Sequence, residues 1–565
     1  MTQQDTEALL RLIRESVIGE DHVMETPYGR RRVTYADYTA SGRALGFIED
    51  FIRDQVLPSY ANTHTESSGT GLQTTRLREE ARAIVHEAVG GDEDSVVVFA
   101  GSGCTGALAK LIGVLGLRIP SVLEDAYGLA SHIAPAERPI IFLGPYEHHS
   151  NEVPWRETIA DVVVIHEDVD GGVDLDELRV QLEKYADRPL KIGSFSAASN
   201  VTGIVSDTAG IATLLHEHGA LSFWDFAAAA PYIDISMSPV DAGQPLSYLD
   251  AIFLSPHKFI GGPSTPGVLV ARRELFANRV PDVPGGGTVA YVNDDDHSYL
   301  ANPTHREEGG TPAIIEAVRA GLVFQLKQAV GTATIREQED RHLSRAVAAW
   351  RQEPAIELLG NLDARRLSIV SFVIRSPSGR YLHHNYVVAL LNDLFGIQSR
   401  GGCSCAGPYG HRLLGIDLDR SHEFEREISG GCEGIKPGWV RVNFNYFVSD
   451  AVADYIVEAV RLVARDGWRL LGDYGFQTGS GLWRHKDGLV TPPLSLRDVS
   501  YAGGTVSMPT NRATGGEDLL AEHLRDGAAI LTAATGPDLS GHPGNVSADF
   551  EHLRWFDLPR ECLRA

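Results

Sequence analysis

Between about residue 75 and residue 275, short apolar runs rich in β-branched residues alternate with amphipathic helical stretches. The first pair is the helix-like LREEARAIVHEAV followed by the strand-like VVVFAGS. Six further strand-like runs follow, namely PIIFLGP, ADVVVIHE, LKIGSFSA, LSFWDFA, AIFLSP and GVLVAR. Strands that are apolar throughout and separated by helices predict a mainly parallel sheet covered on both faces. The sequence therefore predicts an α/β fold whose ligand binds beyond the carboxyl ends of the strands.

The 565 residues exceed what one compact core holds, so we expect more than one domain. After about residue 335 the pattern changes to helices and the strands RRLSIVSFVI and WVRVNFNYF, which predict a smaller α+β domain. The last ninety or so residues are rich in Gly, Pro, Ser and Thr, a composition typical of partial order. We predict an N-terminal helical segment (1–30), a large ligand-binding domain (31–330), a small α+β domain (331–475) and a partly ordered C-terminal extension (476–565).

The net charge and the N-terminal sequence limit the molecules that the chain is expected to bind and the compartment in which it is expected to occur. With 50 Lys and Arg against 75 Asp and Glu, the net charge is −25, which disfavours binding to nucleic acid or to an anionic membrane. The N-terminus MTQQDTEALLRLIRESV predicts an acidic amphipathic helix and has no signal-peptide pattern, and no apolar run reaches bilayer-spanning length. We expect a soluble cytoplasmic protein. Its five cysteines, an odd number, predict free thiols and no disulfide scaffold.

The segment SPHKFIGGPSTPGVLV carries the strongest local signal. An apolar strand ends there and delivers Ser255, His257 and Lys258 into a glycine-rich turn. A lysine at the end of a buried strand is costly unless it is paired, neutralised or used covalently, and Schiff-base chemistry needs such a lysine. The plainer alternative is a strand-end lysine that reaches solvent. Upstream, FWDFAAAAPY ends another apolar strand with Asp225, which could pair with a protonated pyridinium nitrogen.

Three more strand ends carry residues suited to the same ligand. In GSGCTGALAK a turn opens a helix, so the backbone N–H groups of Gly103, Cys104 and Thr105 could hold a phosphate. In GPYEHHSNEVPW, a histidine such as His148 could stack on a cofactor ring and handle protons. In SFSAASNVTG, the amide of Asn200 could reach a ring hydroxyl. A lone His or Asn is more often structural, and the recurrence of such residues at successive strand ends favours a shared site.

In this order, the segments resemble the class V aminotransferase-like enzymes of fold type I, which depend on pyridoxal 5′-phosphate (PLP). Within them, the likeness is to the cysteine desulfurase and selenocysteine lyase branch. SGCTG resembles the phosphate turn, EHHSNEVPW the stacking-histidine segment, SNVTG the asparagine segment and SPHK the Schiff-base segment. PGGGT (284–288) and EGGTP (308–312) resemble two further landmarks. The likeness covers roughly residues 30 to 470 and implies a mainly parallel, seven-stranded large domain with a smaller α+β domain.

The resemblance also implies a role for each site residue. Lys258 would form the Schiff base with the cofactor and act as the catalytic base, and Asp225 would pair with the pyridine nitrogen. His148 would stack on the ring, with Ser255 and His257 in the phosphate cup. The resemblance further implies a homodimer in which Thr311 reaches the phosphate of the neighbouring subunit. It also implies that Arg441, in the segment VRVNFNYF, binds the substrate carboxylate and that Asn200 contacts the substrate. No metal is expected.

The segment RGGCSCAGP resembles the desulfurase loop in which a cysteine precedes alanine, which makes Cys405 the expected nucleophile. A thiolate on a flexible, exposed loop would attack the substrate sulfur, giving alanine and a Cys405 persulfide for a possible sulfur-acceptor protein. Two positions depart from the family pattern: Ala228 stands where a glutamine is common, and Cys403 and Ser404 stand where histidines are common.

Other functions remain open on the sequence alone. Within the fold, the enzyme could be a PLP-dependent C–S lyase that yields pyruvate, or could have an epimerase or aminotransferase-like activity. From another class, Cys403, Cys405, His411 and Cys432 could bind a metal, although their spacing matches no zinc pattern. Cys562, close to the C-terminus, could accept sulfur as a mobile arm or be merely exposed.

Overall fold

A helix and a short β-hairpin form the first part of the fold. The computed structural model describes residues 2–63, 65–239, 243–488, 492–510, 512–541, 543–544 and 546–563. Its first elements are α1 (Gln3–Ser16), β1 (His22–Thr26), β2 (Gly29–Arg32), β3 (Thr34–Tyr35) and α2 (Gly46–Phe51). α1 begins with a capping box between Thr2 and Asp5, and its inner face buries Leu10 and Ile13. The amphipathic pattern near the N-terminus therefore forms a docked helix.

A seven-stranded sheet dominates the next part of the chain. Its elements are α3 (Gly69–Ala88), β4 (Ser95–Ala100), α4 (Gly103–Leu115), α5 (Ser121–Tyr127), β5 (Ile140–Leu143), α6 (His149–Arg156), β6 (Asp161–Val164), α7 (Leu175–Lys184), β7 (Lys191–Ser196), α8 (Thr208–Glu217), β8 (Leu221–Asp225), β9 (Ala251–Leu254), β10 (Gly267–Arg272), β11 (Val289–Val292), β12 (His297–Tyr299), α9 (Pro303–Arg306) and α10 (Ile314–Val330). The strand order is β4-β10-β9-β8-β7-β5-β6, and β10 alone runs antiparallel to its neighbours. The prediction of a mainly parallel, seven-stranded α/β sheet is confirmed.

The strands of this sheet are largely apolar because both faces are covered. In β4, Val97 enters the same apolar cluster as Val85 of α3, whereas its neighbour Val96 enters the cluster that holds Leu108 of α4. Successive side chains of a strand point to opposite faces, so a strand buried on both sides lacks the regular polar positions of a half-exposed strand. Burying one such side chain contributes roughly 1.5–3 kcal/mol, which makes this alternation a main source of stability.

The carboxyl ends of the parallel strands meet along one edge of the sheet. Gly103 follows β4, His148 follows β5, Asn200 follows β7, Asp225 ends β8 and Lys258 follows β9. Residues that lie as far as 155 positions apart in sequence are thereby carried to the same edge.

A smaller antiparallel sheet and its helices follow. The elements are α11 (Thr332–Trp350), β13 (Ile356–Leu358), β14 (Ile369–Ile374), α12 (His384–Phe395), β15 (Ile397–Gln398), β16 (Arg400–Gly402), α13 (Gly407–Leu413), α14 (Leu418–Ser429), β17 (Trp439–Asn443) and α15 (Asp450–Asp466). The sheet order is β13-β14-β17-β16, as expected of the smaller α+β unit. β15 pairs in parallel with β3, which ties this unit to the N-terminal segment.

The C-terminal extension packs against the smaller sheet over much of its length. It contains β18 (Tyr474–Gln477), β19 (Leu482–His485), β20 (Ala513–Thr514), α16 (Leu520–Ala533) and α17 (Ala548–Leu553), and β20 pairs with β1. Leu531 and Phe556 share an apolar cluster with Val440 of β17. The extension is therefore more ordered than its composition predicted. The domain boundaries given above stay a prediction.

Cys562 lies at the end of this extension. Its side chain is fully buried, its thiol donates to the carbonyl of Leu471 (3.1 Å), and burial raises its pKa to about 12. Both suggestions for Cys562, a mobile sulfur-accepting arm and an exposed thiol, are wrong. Within the described residues, no helix is both long enough and apolar enough to cross a bilayer.

Candidate active site

A cavity of about 220 Å³ lies at the carboxyl edge of the seven-stranded sheet. It is lined by every residue predicted for the site except one, namely by Gly103, Cys104, Thr105, His148, Asn200, Asp225, Ser255, His257, Lys258, Cys405 and Arg441. The exception is Thr311, which is exposed and accepts a hydrogen bond from the amide of Asn62 (3.3 Å). The cavity thus joins strand-end loops of the large sheet to residues of the smaller sheet.

The turn before α4 is shaped to receive an anion. Gly103 has φ +54°, and a Cβ built there would come within 2.8 Å of Ser255 Oγ, so glycine is required. The Cys104 N–H donates to Ser255 Oγ (2.9 Å), which leaves the serine hydroxyl hydrogen to point elsewhere. Ser102, at the N-cap of the 13-residue α4, makes no capping hydrogen bond. The helix therefore presents unpaired N–H groups and its positive dipole end to the cavity, which suits a phosphate.

The Asp225 carboxyl and the Lys258 amine both line the cavity, and the charge of each acts on the other. Desolvation raises the pKa of Asp225 and lowers that of Lys258, and each charge partly counteracts the other's shift. One carboxylate oxygen of Asp225 accepts the Ala227 N–H (2.7 Å), and burial raises the pKa of the neighbouring Cys104 thiol well above its ordinary value. An amine with a lowered pKa can act as nucleophile or base, whereas Cys104 stays protonated.

His148 and His257 are both held as neutral rings. His148 Nδ1 accepts the Ser150 N–H (3.1 Å) at the start of α6, and desolvation, followed by the charge of Lys258, lowers its pKa to about 3. Desolvation similarly lowers the pKa of His257 to about 4. A neutral imidazole can stack on an aromatic ring and exchange protons without adding charge to the cavity.

Arg441 is the buried guanidinium of the cavity. Its Nη2 donates to Asp37 Oδ1 (2.9 Å) and its Nη1 to the carbonyl of Asn200 (3.0 Å), while its buried Nε has no partner among the described residues. Arg400 also lines the cavity, and its Nη1 lies 3.8 Å from Asp37 Oδ2. The cavity wall therefore carries two guanidinium groups, which suit a carboxylate ligand.

Cys405 lies on a turn that is docked, in contrast to the flexible loop expected from the sequence. The Ala406 N–H donates to the carbonyl of Cys403 (3.0 Å), and both central residues, Ser404 and Cys405, have positive φ (51° and 55°). Among non-glycine residues in the described part of the chain, one other shares this conformation. The amide of Asn200 donates to the Ser404 carbonyl (2.8 Å), which fastens the turn to the large sheet.

Three residues with a part in the site were missed by the sequence analysis. Glu147 is fully buried, accepts the Ser196 N–H (2.8 Å) and hydroxyl (2.6 Å), and has a pKa raised to about 8 by desolvation. Glu147 directly precedes His148 in the sequence. An acidic residue beside a predicted site histidine, just after an apolar strand, could therefore have indicated it. Asp37 lies 404 residues from Arg441, and nothing in the spacing points to it. Arg400 could have been noticed, because it opens the RGGCSCAGP segment.

The proposed metal site at Cys403, Cys405, His411 and Cys432 does not form. Across the described ranges, no three or more His, Cys, Asp or Glu side chains are placed to hold a metal ion. All four residues lie within those ranges, so the metal-binding alternative loses its basis.

Comparison with known proteins gives concordant results. A family model described as aminotransferase class-V matches residues 34–421. Proteins named probable cysteine desulfurase are similar over most of their length. The one from Staphylococcus epidermidis is 26% identical over 398 residues, and the one from Halobacterium salinarum is 26% identical over 400. Each match covers 70% of this chain and 88% of the relative.

Solved structures agree on the fold. The apo cysteine desulfurase of Thermococcus onnurineus superposes with a TM-score of 0.62 at 23% identity, covering 80% of this chain and 97% of the other. The cysteine desulfurase CsdA of Escherichia coli gives a TM-score of 0.57 at 21% identity, covering 76% and 94%. The family match ends before β17, so Arg441 and the extension lie outside it.

Proposed function

The chain belongs to the class-V aminotransferase family, and from that membership we propose that it is a PLP-dependent enzyme that removes sulfur from L-cysteine or a related amino acid. The products are alanine and a persulfide on Cys405. The observation that carries this proposal is that Cys405, Lys258 and Arg441 line one cavity. A thiol, an amine of lowered pKa and a buried guanidinium match the sulfur, the α-proton and the carboxylate of such a substrate.

The cavity residues fit PLP group by group. The turn at Gly103 and the hydroxyl of Ser255 would hold the phosphate, and Asp225 would pair with the pyridine nitrogen. Lys258 would hold the cofactor covalently, with His148 against the ring. A buried carboxylate whose pKa is raised by desolvation gains most from a cationic partner, and Asp225 is such a carboxylate. When bound, PLP supplies an electron-withdrawing ring that acidifies the substrate α-carbon.

The residues of the chain then have separate tasks. Arg441, oriented by Asp37, binds the substrate carboxylate from the cavity wall. Lys258 moves the α-proton, because its amine is readily deprotonated. The Cys405 thiolate attacks the substrate sulfur, so that one S–S bond forms and the carbon–sulfur bond breaks. The net reaction converts cysteine and the Cys405 thiol into alanine and the Cys405 persulfide, with no external oxidant.

The test compares products with and without the Cys405 thiol. Purified holoenzyme is incubated with cysteine, selenocysteine and cystine, and alanine and pyruvate are measured. We expect alanine from the wild type and a loss of at least about 100-fold in Cys405→Ser, as is usual when a nucleophile is removed. Cys432→Ser is the matched control, because Cys432 is a half-buried thiol outside the cavity. Pyruvate as the main product, unaffected by Cys405→Ser, would establish a C–S lyase instead.

We further propose that the enzyme is a homodimer in which Thr311 completes the partner's phosphate site. Thr311 is exposed and does not reach the cavity of its own chain. Large apolar side chains are also exposed in the segments around it, among them Tyr60, Val283, Tyr291 and Val292. Exposed apolar side chains are common at subunit contacts. A cytoplasmic location and a protein that accepts the persulfide sulfur stay predictions from the sequence.

A further inference from the structure

His149 bonds twice to the turn that carries Cys405. Its backbone N–H donates to the Cys405 carbonyl (2.8 Å), and its ring Nε2 accepts the N–H of Gly407 (3.1 Å) at the start of α13. A Cβ at position 407 would lie 3.3 Å from Nε2, so a side chain there would displace the ring by a few tenths of an ångström. His149 itself does not line the cavity.

The turn needs such support because its backbone conformation is unfavourable. Ser404 and Cys405 both have positive φ, which costs non-glycine residues of order 1–3 kcal/mol each and persists only when neighbouring contacts enforce it. Two of those contacts come from His149 and one from Asn200. The orientation of the Cys405 thiol toward the cavity therefore depends on residues of the large sheet.

The bond to Gly407 also fixes the protonation state of the ring. A backbone amide can only donate, so Nε2 must carry a lone pair and the imidazole must be neutral. Glu152 and Lys436 bring opposite charges near the ring, and His148 is its neighbour. The pKa of His148 is about 3, so His148 keeps its charge state between pH 5 and 8. Desolvation lowers the pKa of His149 from 6.5.

We propose that His149 is a positioning residue that holds the Cys405 turn against the cavity only while its ring is neutral, so that acidification releases the turn. The proposal rests on the proposed role of Cys405 as the sulfur-accepting thiol. The folded-state pKa of His149 is lowered, so the docked turn is fully populated above pH 6.5 and is lost as the pH falls through that lowered value. Between pH 6.5 and that lowered value, the open population rises by at most about tenfold per pH unit.

The experiment measures hydrogen exchange of the Gly407 amide in the holoenzyme without substrate. Electron-transfer fragmentation resolves this residue, and rates are corrected for the intrinsic pH dependence of exchange. In wild type, we expect protection at pH 8 and a lower protection at pH 5, by up to about 30-fold, the limit that 1.5 pH units below 6.5 sets. His149→Gln keeps an acceptor oxygen that does not titrate, so protection should persist at both values. His149→Ala should lose it at both.

His411→Gln provides the matched control. His411 is also partly buried with a lowered pKa, and it lies on α13 beside the same turn. This variant should behave as wild type does. In turnover assays, His149→Ala should lower kcat for alanine with little change in KM, and His149→Gln should restore it. Equal wild-type protection at pH 5 and pH 8, or unchanged protection in His149→Ala, would overturn the proposal.

The two proposals fail in different ways. If the wild type makes no alanine, the desulfurase proposal falls while the exchange data still report on the turn. If alanine forms but Gly407 protection does not respond to pH, then His149 has no positioning role of this kind. Should His149→Ala fail to fold, the pH series on wild type and His149→Gln still decides the matter.

Discussion

Arg400 and Arg441 stand directly opposite each other across the β16–β17 pair, and the carboxylate of Asp37 lies between them. Like charges in directly opposed positions destabilise a sheet. Asp37 offsets this repulsion and leaves about one net positive charge facing the cavity. An amino-acid carboxylate would meet a guanidinium pair that is already oriented and only partly neutralised.

The first prediction concerns the stability of this arrangement. Asp37→Asn leaves Arg441 buried without its anionic partner, so the free energy of unfolding should fall by about 3 kcal/mol. Urea denaturation followed by circular dichroism measures it. Asp363→Asn is the control, because Asp363 pairs with Arg351 on an exposed surface, where an ion pair contributes at most about 1 kcal/mol. Equal effects from the two variants would contradict the role given to Asp37.

A second prediction addresses covalent attachment of the cofactor. Reduction of the holoenzyme with borohydride should add a pyridoxyl phosphate mass to the peptide that contains Lys258. In Lys258→Ala this mass should be missing from that peptide, because Lys258 is the one lysine among the described residues that line the cavity. Lys191 lies outside the cavity and its amine donates to the Ala186 carbonyl (3.0 Å), so Lys191→Ala should be labelled as wild type is. If the same peptide were still labelled in Lys258→Ala, Lys258 would not be the residue that binds the cofactor covalently.

A third prediction follows from the pKa of His148. The ordinary histidine value is 6.5 and the folded value is about 3, so neutral His148 stabilises the fold above pH 6.5 and that contribution is lost as the pH falls toward 3. Between pH 6 and 4, the free energy of unfolding should therefore decline more steeply in wild type than in His148→Gln, by at most about 1.4 kcal/mol per unit. Urea titrations at several pH values measure both slopes. His132→Gln, an exposed position, should keep the wild-type slope.

The fourth prediction concerns the C-terminal extension. Trp555 stacks on His383 (ring centroids 5.3 Å apart) and His384 (5.8 Å), and its indole N–H donates to the Ile435 carbonyl (2.9 Å). Trp555→Ala should lower the free energy of unfolding by about 3 kcal/mol, since it leaves a cavity and an unpaired carbonyl. Leu496→Ala, at a residue 92% exposed, should change it by less than about 0.5 kcal/mol. Thermal unfolding measures both variants. If Trp555→Ala destabilised the protein no more than Leu496→Ala does, the extension would not contribute to the stability of the smaller sheet.

The sequence predicted the large sheet and most of the cavity for one physical reason. Parallel strands bring their carboxyl ends to one edge, so Asp225 and Lys258 could be placed together from local pattern alone. Contacts between distant segments left no such trace. His149 and Gly407 are 258 residues apart, and Asp37 and Arg441 are 404 apart. The docking of the Cys405 turn could not be predicted because it depends on contacts between such distant segments. The glycines around the turn indicated a flexible loop instead.

The extension was underestimated for a different reason. Its composition is polar and glycine-rich on average, and averages do not show where single apolar side chains will find partners. Leu520, Leu531, Phe550 and Phe556 are scattered along it, yet all are buried against the smaller sheet. A segment that cannot form a core of its own can still complete that of a neighbour.

The two-residue pairing of β3 with β15 has a consequence for how the chain tolerates insertions and deletions. Tyr35 pairs with Gln398 in parallel, so Asp37 and Arg400, each two residues further on, leave the same end of the ladder on matching faces. An insertion or deletion of one residue between Tyr35 and Asp37 would turn the Asp37 side chain to the opposite face, and one between Gln398 and Arg400 would do the same to Arg400. Two segments far apart in the sequence are thus held in register, and a change of length within Tyr35–Asp37 or Gln398–Arg400 would separate the charges of Asp37 and Arg400.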